Sequence, residues 1–326
     1  MNRTITGRRA LFGAGLAAAA LRASPALAAY PERALRWVVA YAAGGGTDTL
    51  ARLVGANLSQ RLGQPVVIEN KPGAATNIGA EFTAKAPADG YTVMTADNGT
   101  LVFNTALFKR LPYDPARDFR PVGLMARFPL FLATGANPVA ENVQALIARA
   151  KSGTVDCATP GIGSPHHLAM ERLAREAGVR FNHIPYRGAA PALNDLLAGN
   201  IPLMVLDYPS GAEHLRGGRV KALAVLSAQP LGDMPAIPTV QSALNLRGFE
   251  AYAWQGVVAP KATPDAVVAH LTRELDASMR DSTVRTRMQA IGLEPLTGGP
   301  AEFEALLERE RGTWLPLIRD LNITLD

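Results

Sequence analysis

The sequence predicts an α/β protein with largely parallel sheets, divided into two domains. Three observations carry this. Short apolar runs alternate with helical patterns, most runs are apolar on both faces, and about 300 residues follow an N-terminal leader, enough for two cores. The runs cover residues 37–40, 66–68, 91–94, 155–158, 203–206, 222–225 and 256–259. Each reads as a buried strand.

The intervening segments carry helix signals. After Gly44-Gly45-Gly46, Leu50, Val54, Leu58 and Leu62 recur every four residues. Ser164-Pro165 reads as an N-cap followed by proline in the first turn, with Leu168 and Leu173 starting the apolar face and Gly178 closing it. Pro191 opens another helix and Gly199 ends it. Thr263-Pro264-Asp265 repeats the cap-and-proline signature ahead of Val267, Val268, Leu271, Leu275 and Met279. Phe303, Leu306, Leu307 and Trp314 mark a final helix. Neither an internal repeat nor a low-complexity linker is visible. The chain is therefore expected to cross between domains more than once, through strand-like hinges.

Residues 1–28 read as a secretory signal peptide cleaved near Ala28. A basic stretch ends at Arg8-Arg9, a small apolar run covers residues 10–21, and Ala26-Leu27-Ala28 is a small-x-small cleavage site. The run is shorter than the ~20 residues that span a bilayer. Arg8-Arg9-Ala10-Leu11-Phe12 and the mild hydrophobicity set by Gly13 and Gly15 favour twin-arginine export over an ordinary Sec signal. The expected location is the periplasm.

The leader also explains the charge. The chain has 33 Lys and Arg against 28 Asp and Glu, and Arg3, Arg8, Arg9 and Arg22 lie in residues 1–28, which hold no acid. Without those four, 29 basic residues face 28 acidic ones, a net charge of +1. No basic run with interleaved aromatics follows, so no nucleic-acid partner is expected. Cys157 is the single cysteine, expected as a buried strand residue, and an internal disulfide is excluded. No cluster suggests a metal, and no motif suggests a cofactor.

Two loops invite a ligand. In Tyr41-Ala42-Ala43-Gly44-Gly45-Gly46-Thr47-Asp48 a strand runs through three glycines into a helix. Glycine permits close backbone approach, and the free N–H groups of a helix start favour an anion. No Gly-Lys-Ser/Thr follows, and Thr49 stands where a dinucleotide fingerprint needs its third glycine. A plain strand-to-helix turn with a Thr/Asp cap is the alternative. Thr159-Pro160-Gly161-Ile162-Gly163-Ser164 repeats the arrangement more than 110 positions later. Two helix N-termini, one per domain, could hold one carboxylate without a buried arginine.

His166 and His167 point about 100° apart on a helix and complete no zinc motif, so capping, polar lining or solvent exposure is expected of them. Ser164 is not in a GxSxG elbow. Tyr186 and Arg187 line the cleft, or Arg187 pairs with a surface acid. Asp207 ends a strand where α/β sheets bind ligands, with a loop cap as the alternative.

Together these stretches resemble the substrate-binding proteins of tripartite tricarboxylate transporters, also called Bug receptors. The likeness rests on Gly45-Gly46-Thr47-Asp48 with Ala51-Arg52, on Val67-Ile68-Glu69-Asn70-Lys71-Pro72-Gly73-Ala74 with Asn77-Ile78-Gly79-Ala80, and on Lys85-Ala86-Pro87-Ala88-Asp89-Gly90-Tyr91-Thr92. It continues through Tyr113-Asp114-Pro115 with Asp118-Phe119, Pro160-Gly161-Ile162-Gly163-Ser164 with His167-Leu168, and Pro185-Tyr186-Arg187-Gly188. The resemblance implies a type II periplasmic-binding-protein fold, two α/β domains with a ligand cleft between them. One domain would hold residues 30–130 plus 248–326, the other residues 131–247. It implies a ligand site of Tyr41, Gly45, Gly46, Thr47, Asp48, Asn77, Thr95, Asn98, Thr159, Gly161, Ser164, Tyr186 and Asp207. It also implies a small carboxylate as ligand, membrane permease subunits as partners and a monomeric receptor. Tyr41-Ala42-Ala43 and Gly73-Ala74-Ala75-Thr76-Asn77 depart from the family pattern and bear on pocket shape. The shortage of Lys and Arg near these loops argues against a highly charged tricarboxylate. A sensor of the same fold feeding a membrane kinase is a second reading. An exported carboxylate-processing enzyme is a third, for which no catalytic constellation is visible, so no enzyme activity is expected.

Overall fold

The computed structural model describes residues 30–325. The expected leader lies outside the described residues. The described residues from Pro31 onward form one compact unit.

The first half is a βαβαβ unit: β1 (Leu35–Val39), α1 (Gly46–Leu62), β2 (Val66–Asn70), α2 (Asn77–Ala84) and β3 (Thr92–Asp97). A π-turn over Gly99–Phe103 leads into the short helices α3 (Asn104–Leu107) and α4 (Pro115–Asp118). Then come the long strand β4 (Phe119–Thr134) and α5 (Val143–Ser152). A second βαβαβ unit follows: β5 (Val155–Thr159), α6 (Pro165–Ala177), β6 (Phe181–Pro185), α7 (Ala189–Ala198) and β7 (Leu203–Asp207). The chain ends with α8 (Tyr208–Arg216), β8 (Lys221–Val225), α9 (Val240–Leu244), β9 (Tyr252–Pro260), α10 (Asp265–Arg280), α11 (Ser282–Ala290), β10 (Glu294–Pro295) and α12 (Pro300–Leu321).

The expected helix after the glycines is α1, with Leu50, Val54, Leu58 and Leu62 all buried and Gly63 closing it at φ 66°. The Ser164-Pro165 start is α6. The Ser164 hydroxyl accepts the His167 N–H at 3.2 Å, and Gly178 ends the helix at φ 65°. Helix α7 begins at Ala189, two residues before the proline expected to open it, and Gly199 caps it at φ 78°. Thr263 does not cap α10: the helix starts after Pro264, and the Thr263 hydroxyl is buried with no protein partner.

One mixed sheet runs in the order β2-β1-β3-β9-β4-β7-β5-β6, with β8 and β10 pairing β4. Pairing is parallel within each βαβαβ unit and antiparallel wherever β4 or β9 takes part. Residues 256–259, read as a parallel strand, are therefore antiparallel to both neighbours. Val67 is 54% exposed although its run reads as buried, because β2 is an edge strand. The two units share one topology, 2-1-3 in the first and 6-5-7 in the second, a structural repeat that the sequence pattern does not show. Strand β4 changes partners along its length: residues 119–129 pair with β9, and residues 130–134 with β7 and β8. One buried cluster joins Val38, Met94 and Trp254 to Leu146, Leu168 and Val205.

Candidate functional site

In an open α/β sheet a ligand crevice forms at the carboxyl ends of the strands, where the strand order reverses. Here that lies between β1 and β3 in the first unit and between β5 and β7 in the second. Each point is closed by an aspartate that ends the third strand of its unit. Asp97 ends β3, accepts the Thr100 N–H at 2.9 Å through Oδ1 and takes the Tyr41 hydroxyl on Oδ2. Asp207 ends β7, accepts the Ser210 N–H at 2.9 Å through Oδ1 and meets His166 Nε2 at 3.2 Å through Oδ2. Both carboxylates are buried, and neither has a Lys or Arg partner among the described residues. Burial and then the Asp97 charge push the Tyr41 phenol well above its usual range, so it keeps its proton and donates. Burial alone would raise Asp207, but the His166 and Ser210 contacts outweigh it and hold the carboxyl below its usual range.

The two crevices meet through α1 and α8. A Cβ on Gly46, the first residue of α1, would lie 3.0 Å from Phe128 Cε1 and 3.7 Å from Pro209 Cβ in the first turn of α8. His166, in the first turn of α6, reaches Asp207, the N-cap of α8. The starts of α1, α6 and α8 are thus neighbours. Gln255 lies on β9 directly opposite Asp97, and its amide donates to the Thr47 hydroxyl at 3.0 Å while its Oε1 has no protein partner. Gln255 is 4% exposed, and a buried acceptor left unpaired costs ~1–3 kcal/mol.

The expected site residues divide into two groups. Gly45 is exposed and Gly46, Gly161 and Ser164 are half-buried, so the two glycine loops present backbone to the crevices. Tyr41 and Asn77 share one polar network. The Thr100 hydroxyl links Asp97 to Thr76 at 2.8 and 3.0 Å, and the Asn104 amide bonds Asn77 at 2.9 Å. Gly73 and then Ala74, Ala75 and Thr76 all have positive φ just before Asn77, a strained left-handed turn built largely without glycine.

The other expected residues are committed elsewhere. The Asp48 carboxylate accepts from Gly44 N–H at 2.8 Å and from Arg52 Nε and Asn70 Nδ2, each at 2.9 Å. Burial would raise Asp48, but these contacts, Arg52 first, hold it below its usual range. Thr95 accepts the Trp37 indole N–H at 2.7 Å inside the core. Asn98 is fully buried; its amide donates to Glu310 at 2.6 Å and its oxygen accepts the Trp254 N–H at 2.9 Å. Thr159 is buried against His183 at 2.5 Å. Tyr186 donates to Asp195 on α7 at 2.7 Å, and burial and then Asp195 push its phenol up to about 12. These side chains hold loops in place from behind. Of the capping, polar lining or solvent exposure expected of the adjacent histidines, solvent exposure is excluded, since both are buried. His167 Nδ1 accepts the Gly163 N–H at 3.0 Å, and its ring stacks on His183 with centroids 3.8 Å apart.

Asp97, Gln255 and His166 were not singled out for the site. Asp97 carries the same signal as Asp207, an acid ending a strand. Gln255 carries none, because it sits inside an apolar run. Two surface depressions of 530 and 480 Å³ lie away from the carboxyl ends of the strands, at the C-terminal ends of α5 and α6 and beside α10. Among the described residues no cluster of His, Cys, Asp or Glu could hold a metal. Burial pushes the Cys157 thiol up, which leaves it unreactive.

The model of the tripartite tricarboxylate transporter family receptor matches residues 50–323. The chain belongs to that family. It is 33% identical to Protein BugT of Bordetella pertussis over 97% of this chain and 98% of that one. An R. palustris protein solved with adipate superposes with a TM-score of 0.84 at 33% identity, covering 91% of this chain and all of that one. The periplasmic binding protein BugD does so with a TM-score of 0.81, also at 33% identity and with the same coverage. The fold is therefore the type II binding-protein fold of these receptors, two α/β lobes with a cleft between them. Among the described residues no helix is long and apolar enough to cross a membrane.

Proposed function

We propose that this receptor works in the periplasm, captures a small carboxylate in the cleft and delivers it to permease subunits of a tripartite tricarboxylate-type transporter. The observation that carries the reading is the meeting of three helix starts, α1 at Gly46, α6 at His166 and α8 at Pro209, without a lysine or arginine bonded to the carboxylates between them. Unpaired N–H groups at helix N-termini favour an anion, each by roughly 0.3–1 kcal/mol and up to ~2 where partly buried. Gly45, Gly46, Thr47, Gly161 and Ser164 supply this cradle, with Tyr41 and Asn77 at its edge. The relative solved with adipate supports a carboxylate as the ligand class.

The lobes divide into residues 30–130 plus 248–326 and residues 131–247. The partner exchange of β4 near Leu130 and the run of β9 beside it form the hinge. Ligand contacts to both lobes favour the closed form. Residues 1–28 direct twin-arginine export and are removed near Ala28, and the receptor acts as a monomer without turning over its ligand.

A thermal-shift screen of protein unfolded and refolded to strip carried ligand tests this against a panel of carboxylates. Binding to the native state adds ~2.7 kcal/mol of stability at a hundred times Kd. A shift with one carboxylate class is the expected result. Folded protein that no carboxylate stabilises would overturn the reading. N-terminal sequencing of the exported protein checks cleavage near Ala28.

A further inference from the structure

The second crevice holds a polar atom that the backbone cradle does not use. His166 is 9% exposed, its Nε2 faces Asp207 Oδ2 at 3.2 Å, and its Nδ1 is buried with no protein partner. Asp207 is an acceptor on both oxygens, since Oδ1 takes the Ser210 N–H. A carboxylate facing a neutral imidazole selects the tautomer that carries its proton on the near nitrogen. In the neutral ring the proton therefore sits on Nε2, and Nδ1 keeps a lone pair.

Three observations set the His166 ring beside the cleft. His166 is the second residue of the helix that the Gly161–Ser164 loop opens, Asp207 caps α8, and Pro209 of α8 approaches Gly46 of the opposite lobe. We infer that His166 is a specificity-determining residue, whose Nδ1 accepts a hydrogen bond from a hydroxyl on the ligand, so that the receptor prefers 2-hydroxy carboxylates to their unsubstituted counterparts. Asp207 is the positioning residue that keeps Nδ1 an acceptor. Lobe opening gives the ligand access to Nδ1, and closure over a hydroxyl satisfies an atom otherwise sealed without a partner. This inference rests on the carboxylate reading of the cleft.

The test uses matched acids, propionate with lactate and pyruvate, and succinate with malate and oxaloacetate, titrated into the stripped receptor by calorimetry. The 2-hydroxy acid of each set is expected to bind about five- to tenfold more tightly, the factor a neutral hydrogen bond confers. His166→Phe removes the acceptor and brings that ratio to about one. Asp207→Asn keeps an oxygen for the Ser210 N–H but turns a donor toward Nε2, which moves the ring proton to Nδ1. The preference then passes from the 2-hydroxy to the 2-oxo acid. Nitrogen-15 NMR of the His166 ring reads the tautomer without ligand, with Nε2 protonated in the native chain and Nδ1 protonated in Asp207→Asn. Equal binding of plain and hydroxylated acids, or a ring protonated on both nitrogens, would overturn the inference and leave the carboxylate reading standing. A receptor that binds none of these acids yet responds to no other carboxylate would sink both.

Discussion

Replacing Asp48 by alanine separates a loop clasp from a ligand contact. The Asp48 side chain accepts three hydrogen bonds, from Gly44 at the crown of the loop, Asn70 at the end of β2 and Arg52 one turn along α1. Asp48 is 3% exposed, so water does not compensate for its loss. A hydrogen bond to a charged group contributes ~1.5–3 kcal/mol. The Arg52 contact counts for less, because that guanidinium is half exposed and surface pairs give roughly 0–1 kcal/mol. Gly44 is exposed and Asn70 half-buried, so these two contacts count at the low end of that range, and with the weak one they give a loss of about 3–4 kcal/mol. At roughly 2–4 °C per kcal/mol for a chain of this size, the ligand-free protein should melt about 6–16 °C lower. Differential scanning calorimetry of stripped protein reads this directly. Asp48→Ala combined with Asn70→Ala should fall well short of the sum of the single losses, because the two residues share a bond. A ligand-free melting point within about 2 °C of the native protein, with binding abolished, would refute the clasp and return Asp48 to the ligand.

Three further outcomes are expected. Ser164→Ala removes the cap of α6 and its bond to the Gly161 carbonyl, lowering both stability and carboxylate affinity by ~1 kcal/mol; unchanged affinity in calorimetry would remove Ser164 from the site. Ala75→Gly relaxes an exposed residue held at φ 49° and should gain up to ~1 kcal/mol in chemical denaturation, whereas a loss would show that its methyl group supports the turn. His183 is held at about 4 by burial and then by the neighbouring His167, below an ordinary imidazole, so the unfolded chain takes up the proton first. Its contribution is complete above about 6.5 and is lost as pH falls toward 4, by on the order of 2 kcal/mol after discounting for partial exposure. His183→Gln should flatten that limb of the stability–pH curve relative to the native protein, and an identical acid limb would remove His183 as its source.

The helices and glycine loops were legible because each rests on local chemistry. Apolar residues spaced by four, a Ser-Pro start and glycines at left-handed closures state their conformation within a few residues. Strand β4 was not legible. Arg120, Pro121, Gly123, Arg127 and Pro129 break its apolar pattern, and it is a strand because two register shifts let β9 pair with it from more than 120 positions away. The site was legible at its loops and obscure behind them. A buried Thr95, Asn98 or Thr159 looks like a ligand residue until its partner is known, and the partners Trp37, Glu310 and His183 lie 58, 212 and 24 residues away.

The repeat between the two halves bears on how the proposed anion is held when neither Asp97 nor Asp207 has a Lys or Arg partner among the described residues. Each unit ends its third strand with an aspartate that caps the following turn and takes a side chain from beyond its first strand, Tyr41 in one lobe and His166 in the other. These carboxylates repel an anion, so the ligand's charge has to sit on the helix starts rather than between the strands. The aspartates fix the loops that aim those N–H groups, and they disfavour ligands that reach deeper with a second charge. The two lobes differ in the side chain that covers the aspartate. The Tyr41 phenol keeps its proton and closes the first crevice, whereas the His166 ring leaves a nitrogen unpaired in the second. Symmetry thus accounts for the proposed recognition of a carboxylate end by both lobes, and its breaking at His166 is where discrimination between ligands of that class can arise.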